Sequence, residues 1–84
     1  MALSADRKRI VVVGLGSIGR RHARLLAART ELQVEWCEAS SEALVIARDE
    51  LGEPARRHDS FATALATHPD MMVIATPHAA QRPG

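Results

Sequence analysis

The string Gly14-Leu15-Gly16-Ser17-Ile18-Gly19 follows the apolar run Ile10-Val11-Val12-Val13 without a break and leads straight into Arg20-Arg21-His22-Ala23-Arg24-Leu25-Leu26. A β-branched run, a glycine turn and a helix-forming segment in that order predict a strand that passes into a helix through a phosphate-binding turn. Each glycine has its own task in such a turn. Gly14 permits the tight reversal, Gly16 lets the backbone approach a pyrophosphate with no Cβ in the way, and Gly19 lets the helix lie close against the strand. The backbone amides at the helix start, those of Ser17 and Ile18 among them, then face an anion.

A turn of this kind gains meaning from an acidic residue about 20 positions further on, at the end of the next strand, where it accepts hydrogen bonds from an adenosine ribose. Glu38 stands at that spacing from Gly19. It closes a segment in which Leu32, Val34 and Trp36 alternate with Gln33, Glu35 and Cys37, the period of a strand. A carboxylate there repels the extra phosphate of NADP, and residues 39–45 contain no arginine to receive it. The expected cofactor is therefore NAD, with NADP left open.

Eighty-four residues make one small domain, and 11 basic against 10 acidic side chains give a formal charge of +1. That balance gives no reason to expect nucleic acid or a membrane surface as a partner. Residues 10–13 are too short an apolar run to span a bilayer or to form the core of a signal peptide, so a cytoplasmic protein is expected. Cys37 is the single cysteine, which rules out an internal disulfide. Its place at a strand end reads as a buried, inert thiol.

Along the chain, Arg7-Lys8-Arg9 reads as a solvated lead-in to the first strand. A first helix over residues 17–29 would bury Ile18, His22, Leu25, Leu26 and Arg29 and turn Arg20, Arg21 and Arg24 outward. Ser40 or Ser41 would cap a second helix carrying Leu44, Ala47 and Leu51, which Gly52 and Pro54 end. A short strand at residues 55–58, a cap at Asp59-Ser60 and a brief helix with Phe61 and Leu65 on one face would follow. Pro69-Asp70 turns the chain into Met71-Met72-Val73-Ile74-Ala75, an apolar run that reads as a strand buried on both faces. The order is βαβαβαβ. Its helix-length connections require parallel, right-handed crossovers, so the fold class is α/β, a partial Rossmann half-domain with a doubly wound parallel sheet. The first and fourth strands then meet at the switch point, where the glycine turn and Ala75-Thr76-Pro77 open onto one crevice.

Val13-Gly14-Leu15-Gly16-Ser17-Ile18-Gly19-Arg20-Arg21-His22 together with Asp70-Met71-Met72-Val73-Ile74-Ala75-Thr76-Pro77 resembles the N-terminal half of the Gfo/Idh/MocA oxidoreductases, the family of glucose-fructose oxidoreductase and inositol dehydrogenase. The resemblance covers nearly the whole chain. It implies that the backbone at Gly16, Ser17, Ile18 and Gly19 meets the pyrophosphate, that Glu38 meets the adenosine ribose, and that Ala75, Thr76 and Pro77 meet the ribose on the nicotinamide side. His22 matches a family histidine with a packing or hydrogen-bonding role. The chain departs from the family pattern at Gln81, where a histidine is common. It also lacks the Glu-Lys-Pro stretch whose lysine donates to the substrate oxygen, and its one lysine, Lys8, precedes the first strand. The resemblance thus implies a truncated dinucleotide-binding part of an oxidoreductase acting on sugars or polyols, with no catalytic residue of its own.

Two other readings are a regulatory nucleotide-binding module and a gene fragment without independent activity; a methyltransferase turn fits the glycine spacing less well. His22, His58, His68 and His78 have neither i, i+4 pairing nor companion ligands at metal spacing, so no metal site is expected. Residues 71–75 would lack a neighbouring strand on one side, and such an open edge leads us to expect self-association.

Overall fold

The structure, a computed structural model, describes residues 7–76. Four strands, β1 (Lys8–Val13), β2 (Leu32–Cys37), β3 (Arg57–His58) and β4 (Met71–Ile74), alternate with α1 (Ser17–Ala27), α2 (Ser41–Leu51) and α3 (Phe61–Ala66). The sheet is parallel throughout, in the order β3-β2-β1-β4. The chain therefore runs outward from β1 to β3, then crosses back to place β4 on the other side of β1. This is the partial Rossmann-like α/β half-domain that the order of elements predicts, with β1 and β4 side by side.

Strand parity divides the core between two faces. Val12 and Trp36 point toward α1 and α2, where they pack with Leu15, Ala23, Leu44 and Ala47. Val11, Val13 and Cys37 point the other way, onto Ala64 of α3. Ser40 caps α2 by accepting the Ala43 amide at 3.2 Å, and Gly52 ends it at a φ of 82°. Ser60 and Thr63 close a reciprocal capping box on α3.

Several expectations are corrected. Helix α1 buries Gly19 and Ala23, and leaves Ile18 57% and Leu25 64% exposed, with His22 and Arg29 also outside. Leu26 is half-buried against the core as expected, while the closest approach of α1 to the turn and sheet is made by the small residues Gly19 and Ala23. The helix also ends at Ala27, short of Arg29. Strand β4 is an edge strand, with Met71 49% and Ile74 54% exposed, because nothing lies beyond it among the described residues. Phe61 and Leu65 do share a face of α3, but it is the exposed one, while Ala64 faces the sheet. Strand β3 itself has two residues, though the Ala55 amide donates to Val34 O and Arg56 O accepts from the Trp36 amide, so the ladder extends back to residue 55.

The basic lead-in is the largest correction. Lys8 and Arg9 belong to β1, and Arg9 is committed to a polar cluster on the α3 face. Its Nε and Nη2 donate to Glu35 Oε2 and Oε1 at 2.7 and 2.9 Å, and Nη1 and Nη2 donate to Thr67 O and Oγ1, both at 2.7 Å. Glu35 is fully buried and also accepts from Gln33 Nε2 at 2.8 Å and from His58 Nε2 at 2.9 Å. A buried carboxylate is costly unless its oxygens are satisfied, and here four donors from three side chains converge on them. Among the described residues no helix is long and apolar enough to cross a membrane.

Candidate functional site

The carboxyl ends of β1, β2 and β4 converge on the glycine turn. Gly14 has a φ of 91°, a left-handed conformation that favours glycine, and its amide donates to Cys37 O at 3.0 Å. A Cβ there would stand 2.9 Å from Thr76 Cγ2 and 3.0 Å from the Thr76 backbone. Gly19 lies against the turn so closely that a Cβ would fall 1.7 Å from Gly14 O, and it would meet the Ala75 side chain at 3.5 Å. The fold itself thus accounts for two of the three glycines. Gly16 is different. Its backbone is ordinary, at φ −70° and ψ −168°, and a Cβ built on it meets nothing within 4 Å.

Helix α1 starts at this open position without a capping side chain or an acidic residue in its first turn. The first bond of its ladder runs from the Arg20 amide to Gly16 O at 2.9 Å, so the amides of Ser17, Ile18 and Gly19 precede the helix's own acceptors. In contrast, α2 has both a serine cap and Glu42 in its first turn. The start of α1 therefore keeps its positive dipole end uncompensated.

Glu38 follows β2 and reaches back to this turn. Its Oε1 accepts the Leu15 amide at 2.7 Å and its Oε2 accepts the Ser40 amide at 3.0 Å. Two hydrogen bonds from different segments fix the carboxylate, and each oxygen retains acceptor capacity for a hydroxyl. Arg20, expected on the exposed helix surface, instead braces the turn: Nη1 donates to Leu15 O at 3.1 Å and Nε to Glu50 Oε1 of α2 at 2.9 Å. The sequence carries no signal for that partnership, because Glu50 lies a helix away.

Ala75 continues from β4 and donates its amide to Val13 O at 2.8 Å, which brings Thr76 onto Gly14. Of the residues predicted for the site, Gly14, Gly16, Ser17, Ile18, Gly19, Glu38, Ala75 and Thr76 are brought together, while Pro77 lies outside the described residues. The turn separates two clefts. One, of about 540 Å³, has Glu38, Ala39, Ala43 and Phe61 on its walls. The other, of about 350 Å³, lies between α1 and β4, lined by Ile18, His22, Ile74 and Ala75. Gly16 and Thr76 border both.

A third hollow of about 450 Å³ opens at the amino ends of the strands, beside Trp36 and Leu51. Two arginines on its rim are paired, Arg24 with Glu50 at 3.6 Å and Arg29 with Glu31 at 2.7 Å. Cys37, at the edge of the larger cleft, is buried; that burial, with Glu38 and Asp59 nearby, pushes its thiol pKa up. Among the described residues no group of three or more His, Cys, Asp or Glu side chains could hold a metal ion. No protein-family model, curated protein or solved structure matches the chain.

Proposed function

We propose that this chain binds a dinucleotide, NAD in preference to NADP, across the glycine turn. The open face of Gly16 carries the reading. No φ requirement and no neighbouring atom calls for a glycine there, yet the position lies between uncapped helix amides and the Glu38 carboxylate. A diphosphate over Gly16 would accept from the amides of Ser17, Ile18 and Gly19. Glu38 would accept the hydroxyls of the adenosine ribose in the larger cleft. The second nucleotide would extend past Thr76 into the cleft beside Ile18 and Ala75. A pair of clefts joined at one phosphate bed suits two nucleotides better than one.

Glu38 also supports the choice of NAD. Both of its oxygens are held by backbone amides, so the carboxylate cannot swing aside for a 2′-phosphate without releasing them. The resemblance to the Gfo/Idh/MocA family extends the reading to the dinucleotide-binding part of an oxidoreductase acting on sugars or polyols. Hydride transfer to or from such a substrate needs a proton donor or acceptor near the nicotinamide. Lys8 opens β1 at the end of the sheet away from the turn and cannot supply it. The chain's own part is binding and orientation.

Calorimetric titration with NAD, NADP and ADP-ribose tests this. Heat from ADP-ribose and NAD, with NADP at least tenfold weaker, is expected. A folded sample that gives no heat with millimolar NAD or ADP-ribose would reject the proposal.

A further inference from the structure

The chain has two aromatic residues, Trp36 and Phe61. Trp36 is buried in the α1–α2 face of the sheet. Phe61 begins α3, is 48% exposed and belongs to neither core cluster. Folding therefore leaves a large apolar ring on the surface without using it to build the interior. The ring lines the same cleft as Glu38 and the glycine turn, with the small side chains Ala39 and Ala43 on that cleft's other walls.

We infer that Phe61 is the base-binding residue of this site, packing on the adenine of the bound dinucleotide. The inference rests on the dinucleotide reading and adds to it the group that holds the base. Glu38 and the turn fix the ribose and the phosphates at one end of the cleft, so the base attached to that ribose extends along its remaining length. Ala39 and Ala43 leave room for a flat ring system, and a half-exposed phenyl ring gains contact area when one covers it. A base stacks on an aromatic side chain through its π-face, whatever the base. A cleft of about 540 Å³ lies in the range of small-molecule sites.

The test uses the full chain and four ligands: ADP-ribose, ribose 5-phosphate, ADP and UDP. ADP and UDP share ribose and diphosphate and differ in the area of the base. Phe61→Ala should weaken ADP-ribose and ADP about tenfold, leave ribose 5-phosphate unchanged and remove the preference for ADP over UDP. Phe61→Trp should retain ADP-ribose binding. Should Phe61→Ala not fold, Phe61→Leu, which keeps an apolar helix former and removes the ring, should weaken ADP-ribose in the same direction. A folded Phe61→Ala or Phe61→Leu protein that binds ADP-ribose as tightly as the parent overturns the inference and leaves dinucleotide binding intact. Failure of the parent chain to bind ADP-ribose overturns both.

Discussion

Glu38 accepts the backbone amide of Leu15 at 2.7 Å, which ties the end of β2 to the middle of the glycine turn. The same carboxylate accepts from Ser40 at 3.0 Å at the entrance to α2. Its position is thus determined by two backbone segments, the preorganisation that the proposed contact with a ribose requires.

Replacing Glu38 with Ala should have two separable effects. The amide of the fully buried Leu15 loses its acceptor, which costs about 1–3 kcal/mol of stability. Urea unfolding reads that loss. Affinity for ADP-ribose should fall by at least tenfold, as measured by calorimetry under conditions where the variant is still folded.

The three glycines should respond to alanine in different ways. Gly19→Ala sets a methyl group 1.7 Å from a backbone oxygen and should not yield the native fold. Gly14→Ala combines a φ of 91° with contacts of 2.9–3.0 Å to Thr76 and should be strongly destabilised. Gly16→Ala should keep the fold with little net change in stability, because nothing obstructs the methyl group and the lowered entropy of the unfolded chain is offset by the poorer N-cap that alanine makes. It should nevertheless lose ADP-ribose binding. Thermal melts beside titrations distinguish these cases, and a Gly16→Ala protein with unchanged affinity would count against a phosphate over that residue.

Acid should destabilise the protein through Glu35. Hydrogen bonding from Arg9, aided by His58 and Gln33, outweighs burial and holds the Glu35 pKa down at about 2, against an ordinary value of 4.5. A carboxylate with a depressed folded pKa contributes stability above its unfolded value and loses that contribution as pH falls through the folded one. The loss should therefore run from about pH 5 down through pH 2 and amount to about 3 kcal/mol. Glu35→Gln should flatten that portion of the stability–pH curve, measured by urea unfolding at successive pH values.

Cys37 should resist alkylation. Burial, reinforced by the negative charges of Glu38 and Asp59, disfavours its thiolate. Native protein at pH 7 should remain unmodified by iodoacetamide over a period in which urea-unfolded protein is fully labelled, as read by mass spectrometry.

The edge of the sheet should mediate self-association. Met71 and Ile74 are about half exposed on β4, whose outer side has no neighbouring strand among the described residues. Sedimentation should show concentration-dependent association of the parent chain. Ile74→Lys, a charge on the edge, should shift it toward monomer; a parent chain that stays monomeric at high concentration would contradict this.

What the sequence discloses about this molecule is its local and periodic content. The run at residues 10–13, the glycine spacing and the Ser40 and Ser60 caps each act through neighbours in the chain, and each is found in the structure. Glu38 was legible because the spacing between a glycine turn and a strand end follows from one crossover. The Arg9, Glu35 and His58 cluster was not, because alternation assigns a face to Glu35 without saying that the face is covered or which charge will meet it. Residues 58 and 67 reach that cluster only after two crossovers. The misassigned face of α1 has a related cause. Hydrophobic periodicity gives weight to Ile18 and Leu25, while the true contact face is chosen by closeness of approach, which selects Gly19 and Ala23.

Thr76 rests on Gly14 with less clearance than a single methyl group would need. The chain leaving the outermost strand and the glycine turn are thus packed directly against each other. A dinucleotide bound at that turn, as proposed, would anchor the sheet's margin, and a partner drawing the margin outward would loosen its support. Occupancy at one place and association at the other should therefore influence each other reciprocally, with equal strength in both directions.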